Sequence, residues 1–145
     1  MPRLYTVTRN NVTPNNANDL VTLISGANLP VRLKRIRCSG EATASTVMRT
    51  IVQRSTGGTT GGGALTPEKT STADSASGTT VNTTWSAQPT LSGSPIYNES
   101  WNAYGGGFDL TLDGREIELR GTEQISIRNI VGTGTLSVDV EFEEQ

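Results

Sequence analysis

Apolar and polar residues alternate along much of this chain, in short runs separated by turn-forming residues. The clearest run covers residues 135–142, where Leu136, Val138, Val140 and Phe142 alternate with polar side chains. Strict alternation is typical of a strand with one buried face, because successive side chains of a strand point to opposite sides. The same signal predicts further strands at 4–9, 31–39, 46–54, 79–85, 108–113, 115–120 and 123–131, and a short continuous apolar run predicts one at 20–25.

The strand that begins at Val31 changes parity along its length. Val31 and Leu33 share one face of a regular strand, whereas Ile36 and Cys38 fall on the other. One extra residue in a β-bulge restores a common face. The pattern therefore predicts a bulge near residues 34–35.

A second local feature is the dipeptide Asp113-Gly114, which lies between two alternating runs. Asp-Gly in this position is a strong signal for a tight hairpin turn. The sequence predicts a hairpin of residues 108–113 and 115–120, with Ile117 and Leu119 facing inward.

Many short strands without a helical period or an internal repeat indicate an all-β fold. A chain of 145 residues is long enough to bury one sizeable core. We predict an antiparallel β-sandwich or jelly roll that comprises residues 1–145 as a single domain, with an extended N-terminal segment.

Residues 55–79 depart from this pattern, because they are almost entirely Gly, Thr, Ser and Ala. Leu65 is the one large apolar residue among them, so the segment has little to bury. Loops longer than about 12–15 residues are uncommon in compact domains unless they are functional or disordered. The sequence predicts a long polar loop that becomes ordered on an adjacent subunit, with Leu65 as its anchor; an idle flexible loop is the alternative.

Composition narrows the chemistry of the chain. It contains 0 histidines, which removes the commonest general base and zinc ligand, and a single cysteine, which we expect to be a small buried residue. The glycine run 57–63 lacks the Lys-Ser or Lys-Thr of a phosphate-binding loop. We therefore predict no catalytic, cofactor-binding or metal-binding residues and no enzymatic activity. Without an apolar leader or an apolar run of membrane-spanning length, no membrane association is expected.

Four cations lie close together in the strand after Pro30: Arg32, Lys34, Arg35 and Arg37. They could contact phosphates, but no aromatic residues lie between them and the net charge of the chain is −2, so nucleic-acid binding is not predicted. The other interpretation is a subunit-facing strand surface, with the acidic side of the last strand as a cross-strand or cross-subunit complement. We treat the four cations as candidate partner-binding residues.

Four aromatic residues form a second candidate partner-binding group: Trp85, Tyr97, Trp101 and Tyr104. Exposed Trp and Tyr side chains can stack on sugar rings or anchor a protein interface. They can equally pack beneath their own loops, and their spacing does not distinguish these roles.

Several stretches resemble small virion proteins of tailed bacteriophages: the opening LYTVTR, then PVRLKRIR, RTIVQRSTGGTTGGG followed by ALTPEK, and the closing LSVDVEFEE. In that group a β-rich chain decorates or cements the capsid. The resemblance implies a sandwich or jelly-roll fold, homotrimers on the capsid surface, assembly in the host cytoplasm, and arms or loops that contact the major capsid protein. It transfers no individual site residue.

The sequence thus predicts a structural virion protein that binds the outside of a phage capsid and cements neighbouring major capsid protein subunits. Two alternatives remain open. One is a carbohydrate-binding or receptor-facing module of a tail or fibre, which the aromatic group and the Thr-, Ser- and Asn-rich loops would support. The other is a structural protein of the neck or tail.

Overall fold

The computed structural model describes residues 2–145, with side chains throughout that range except at 60–62. The described residues form two antiparallel sheets. The strands are β1 (Arg3–Val12), β2 (Asp19–Ile24), β3 (Val31–Gly40), β4 (Val47–Thr56), β5 (Thr59–Leu65), β6 (Glu68–Lys69), β7 (Thr80–Ala87), β8 (Thr90–Leu91), β9 (Tyr97–Asn102), β10 (Gly107–Thr111), β11 (Ile117–Leu119), β12 (Gln124–Val131) and β13 (Leu136–Glu144).

The two sheets pack face to face. The six-stranded sheet has the order β10-β3-β13-β1-β6, with β11 also paired to β3. The seven-stranded sheet has the order β5-β7-β2-β12-β4-β8, with β9 also paired to β4. This architecture confirms the predicted all-β, antiparallel β-sandwich.

The core lies between the sheets and follows the predicted alternation. Along β13, Leu136, Val138, Val140 and Phe142 are fully buried. The ring of Phe142 stacks on that of Tyr5 from the adjacent β1, with centroids 5.7 Å apart. Aromatic pairs in such geometry add to the stabilisation that burial alone provides.

The predicted bulge in β3 is confirmed. In the pairing with β13, Arg35 lies opposite Glu141 and Leu33 lies opposite Phe142, so Lys34 is the extra residue. Val31, Leu33, Ile36 and Cys38 are consequently all buried on the core side.

The predicted hairpin at Asp113-Gly114 is wrong. β10 and β11 do not pair with each other; both pair with β3, and they run along it in the same direction. The turn itself forms, because Gly114 has φ 77° and the Arg115 amide donates to the Leu112 carbonyl. This turn projects outward opposite the β3 bulge, where the Leu112 amide donates to the Lys34 carbonyl. Ile117 and Leu119 are buried as predicted.

The structure also corrects the prediction of a polar loop at 55–79. β5 pairs with β7, β6 pairs with β1, and Leu65 packs against the chain's own core. The Tyr5 hydroxyl donates to the Ser75 carbonyl at 2.9 Å. Backbone pairing supplies the order that apolar side chains could not, so the segment does not depend on an adjacent subunit for its structure.

A buried carboxylate holds the end of this segment. Oε1 of Glu144 in β13 accepts hydrogen bonds from Ser77 Oγ at 2.5 Å, from the amides of Gly78 and Thr79 at 2.9 and 3.0 Å, and from Thr79 Oγ1 at 2.8 Å. Charge-assisted bonds of this kind are stronger than neutral ones. The last strand therefore fixes the return of the chain towards β7.

The turn before β12 contains a strained residue. Gly121 and Thr122 have φ values of 58° and 69°, as in a type I′ turn. Left-handed backbone is unfavourable for a β-branched residue. Thr122→Gly is expected to stabilise the protein by about 1 kcal/mol, after the entropic cost of glycine, and to raise Tm by roughly 3 °C.

Thermal unfolding of the Thr122→Gly variant tests this expectation. Thr133→Gly is the matched control, since Thr133 is also an exposed threonine in a connection between strands but does not have a positive φ. The control should be neutral or destabilised because glycine adds freedom to the unfolded chain. Equal Tm changes in the two variants would contradict the assignment of strain to Thr122.

Candidate functional site

The four cations of β3 are engaged within the chain. Arg37 Nη2 lies 2.6 Å from Asp139 Oδ2, and Lys34 Nζ lies 2.9 Å from Glu116 Oε1. Arg35 forms a bidentate pair with Asp109, and Arg32 Nε lies 4.0 Å from Glu118 Oε2. The hydrogen bond from Lys34 lowers the pKa of Glu116 to about 2.

These pairs make the outer side of the six-stranded sheet a mosaic of opposite charges. Asp139 of the last strand pairs with Arg37, as the cross-strand interpretation of the acidic side of that strand suggested. The bidentate partner of Arg35, however, is Asp109 of β10 and not Glu141 of the last strand. Exposed pairs of this kind contribute little to stability. Their effect is local neutralisation, so the β3 cations do not form an unopposed basic surface.

The two tryptophans are not available as an exposed platform. Trp85 and Trp101 are each 8% exposed, and their Nε1 atoms donate to Thr22 Oγ1 at 3.1 Å and to Thr50 Oγ1 at 2.9 Å. This corrects their assignment as partner-binding residues: both rings are held inside the protein. Of the other two aromatics, Tyr97 packs partly against the core and Tyr104 is 62% exposed.

A crossover segment, residues 88–93, explains why one half of the outer face of the seven-stranded sheet is buried. The chain leaves β7, passes over β2 and β12, and pairs as β8 with β4. Arg128 Nη2 of β12 donates to the Pro89 carbonyl at 3.3 Å, and Gln53 Nε2 of β4 donates to the Gly93 carbonyl at 2.8 Å. Polar residues on this face are therefore covered by the chain itself.

Beneath the crossover segment lies a fully satisfied carboxylate. Asp19 Oδ1 lies 2.7 Å from Arg128 Nη2 and 2.8 Å from Arg128 Nε. Asp19 Oδ2 accepts hydrogen bonds from Thr22 Oγ1 and Ser126 Oγ, both at 2.5 Å. Because both oxygens are occupied and the side chain is completely buried, the cluster is structural.

The other half of the same sheet face is uncovered and carries exposed apolar residues. Val47, Tyr104 and Val131 are 67%, 62% and 41% exposed. Val131 lies opposite Arg49 in the strand register, Val47 lies opposite Asn102, and the Tyr104 amide donates to Asn102 Oδ1 at 2.9 Å. We call the surface formed by Val47, Arg49, Tyr104 and Val131 the open face.

Tyr104 is the one residue of the open face that belongs to the partner-binding groups predicted from the sequence. The parity of β4 indicates that Val47, Arg49 and Ile51 share a side opposite Met48 and Val52, which belong to the core. Ile51 is covered and Val47 is not. The difference depends on the path of the crossover segment, and no local pattern in the sequence specifies that path.

Within residues 2–145, no group of three or more His, Cys, Asp or Glu side chains is arranged to hold a metal ion. Cys38 is buried, and desolvation raises the pKa of its thiol to about 12. The same residues contain no helix long and apolar enough to cross a membrane.

Comparison with known proteins leaves the family open. No family model matches the chain, and no curated protein matches it. Among solved structures, the chain is similar to a mutant VP2 protein of infectious bursal disease virus in derived T=1 particles, with 10% identity and a TM-score of 0.22. The match covers 99% of this chain and 39% of that chain, so this protein spans about two fifths of the length of the viral capsid protein.

Proposed function

We propose that this protein is a structural component of a virion and that it acts by binding other proteins through its open face. The exposed cluster of Val47, Arg49, Tyr104 and Val131 is the observation that carries the proposal. Contiguous exposed apolar residues on a soluble protein mark interaction surfaces. In its specific form, the protein decorates the outside of a tailed-phage capsid and cements neighbouring major capsid protein subunits, as the sequence resemblance implies.

The composition of the open face supports a protein partner. Tyrosine and arginine are enriched among the residues that dominate binding energy at interfaces. Arg49 has no acidic partner within 4.0 Å in the described part of the chain, unlike the four cations of β3. A partner that offers an apolar recess and a carboxylate would match both features.

The proposal includes no enzymatic step and no cofactor. Its support is that several buried or clustered ionisable groups already have structural partners: Asp19 with Arg128, Lys34 with Glu116, and Arg37 with Asp139. Assembly as a homotrimer on the capsid surface is also part of the proposal and rests on the resemblance.

Cosedimentation with capsids that lack the protein tests the proposal. Tyr104→Ala and Arg49→Ala are each expected to weaken capsid binding roughly 30-fold, since truncation of an interface hot spot costs about 2 kcal/mol. Both side chains are exposed, so Tm should change little.

Ile96→Ala is the matched control, because Ile96 is 42% exposed but lies beside Val52, towards the other end of β4. Its capsid affinity should equal that of the wild type. Equal loss in all three variants, or none in the open-face variants, would contradict docking through this surface. Electron microscopy of labelled virions separates a head location from a neck or tail location.

A further inference from the structure

A second surface feature is a cavity of about 220 Å³ between β1 of one sheet and β7 of the other. It is lined by the end of β1, the turn that follows it, and residues 83–85 of β7. Such a space suits a single small polar molecule rather than a drug-sized ligand.

Arg9 brings a positive charge to this cavity from an unusual position. It follows Tyr5 and Val7 on the core-facing side of β1, and it lies opposite the buried Val138. Its Nη1 donates to the carbonyls of Leu20 and Thr83 at 2.7 and 3.3 Å. The guanidinium therefore bridges the two sheets at the wall of the cavity.

The charge of Arg9 has no acidic partner among the described residues, and its Nε and Nη2 make no hydrogen bond to them. Burial lowers the pKa of this guanidinium, with no opposing contribution from an acid. Arg9 is half-buried, and a charge that is partly withdrawn from water is normally paired. Asp19 also lines the cavity, but its carboxylate is completely buried and occupied by Arg128, Thr22 and Ser126.

Neutral polar groups surround the guanidinium. The Gln88 amide is oriented by its Oε1, which accepts from the Asp19 amide at 3.0 Å, so its Nε2 remains available to donate. Asn15, Asn18 and Thr84 add amide and hydroxyl groups, and Trp85 contributes part of the wall. A lone carboxylate would use only the arginine, whereas a hydroxyl-rich ring bearing a carboxylate would use the whole lining.

We propose that the cavity between β1 and β7 binds an acidic monosaccharide, with Arg9 pairing with the sugar carboxylate and Gln88 and the asparagines contacting its hydroxyl groups. This binding activity is separate from the open face and does not depend on the proposed capsid role. The chemistry to be recognised is that of a uronic acid.

Titration of the intact protein with glucuronate, glucose and acetate, followed by NMR chemical shifts, tests this inference. Glucuronate should bind at least about tenfold more tightly than either glucose or acetate, because only glucuronate satisfies both the charge and the neutral lining. Arg9→Gln should weaken glucuronate binding by about tenfold or more and leave glucose binding unchanged. Arg115→Gln is the matched control, since it removes an equal charge at an exposed position outside both the cavity and the open face and should bind glucuronate like the wild type.

Asn15→Asp provides a second variant in the event that Arg9→Gln unfolds. The aspartate can still accept the hydrogen bond that the Ala17 amide donates to Asn15 Oδ1, but it places a negative charge at the cavity and should weaken glucuronate binding. The proposal would be overturned if the protein did not bind glucuronate, or if it bound glucose or acetate as tightly as glucuronate. Unchanged glucuronate binding in both cavity variants would also overturn it. Loss of capsid binding in Arg9→Gln without any glucuronate binding would also overturn it, in favour of an acidic side chain of a partner protein.

Discussion

Asp19→Ala is expected to lower the free energy of unfolding by about 3–5 kcal/mol, because it leaves the Arg128 guanidinium buried without its counter-ion. Arg128 is only 11% exposed, so water cannot replace the lost carboxylate without disturbing the crossover segment. Thr22 and Ser126 would lose their acceptor as well. Urea unfolding at neutral pH measures the effect as a reduced midpoint.

Asp139→Ala is the matched control for this prediction. Asp139 also pairs with an arginine, Arg37, at 2.6 Å, but both side chains are partly exposed, at 30% and 47%. Exposed pairs contribute less than about 1 kcal/mol, so the control should unfold near the wild-type midpoint. Similar midpoints for Asp19→Ala and Asp139→Ala would show that burial does not set the strength of the Asp19 pair.

Glu144→Ala is expected to cost about 3 kcal/mol and to free the segment 70–79 from the body. The Gly78 and Thr79 amides and the Ser77 and Thr79 hydroxyls would lose one common acceptor. Thr79 is buried, and each buried group that is left unsatisfied costs roughly 1–3 kcal/mol. Local opening of this segment should also expose the peptide bond after Lys69 to trypsin. Urea unfolding and the rate of tryptic cleavage at Lys69 report the two effects separately.

Glu143→Ala serves as the control, since Glu143 precedes Glu144 in β13 but faces the outside of the six-stranded sheet. It should change neither the unfolding midpoint nor the cleavage rate. Rapid cleavage at Lys69 in the wild-type protein would contradict the structure of this segment and would restore the interpretation of a loop that requires a neighbouring subunit.

Strand positions and core faces could be predicted from sequence because side-chain alternation is a local property. The parity change between Leu33 and Ile36 located the bulge at Lys34, and the alternation in β13 identified its four core residues. Pairing partners are not local. Asp113-Gly114 does form a turn, but β10 and β11 do not pair with each other. Both pair with β3, along the edge that β13 does not occupy.

The candidate surfaces were harder to predict for the same reason. Whether Trp85 is exposed depends on Gly58, which packs against its ring: a Cβ added at Gly58 would lie 2.6 Å from the nearest ring carbon. The order of the segment 55–79 depends on the pairing of β5 with β7 and of β6 with β1, and its end is held by Glu144, which lies 65 residues beyond Thr79 in the chain. Composition correctly indicated that the segment has few apolar residues, but it did not reveal these distant strand partners or this carboxylate.

The β3 ion pairs and the open face lie on opposite outer sides of the sandwich, so the two sides of the molecule differ in chemistry. A subunit anchored by Tyr104 and Arg49 would turn the β3 ion pairs towards the medium. Each copy would then add a hydrated, nearly charge-balanced coat to the particle, and such a coat attracts neither polyanions nor polycations from a cell lysate.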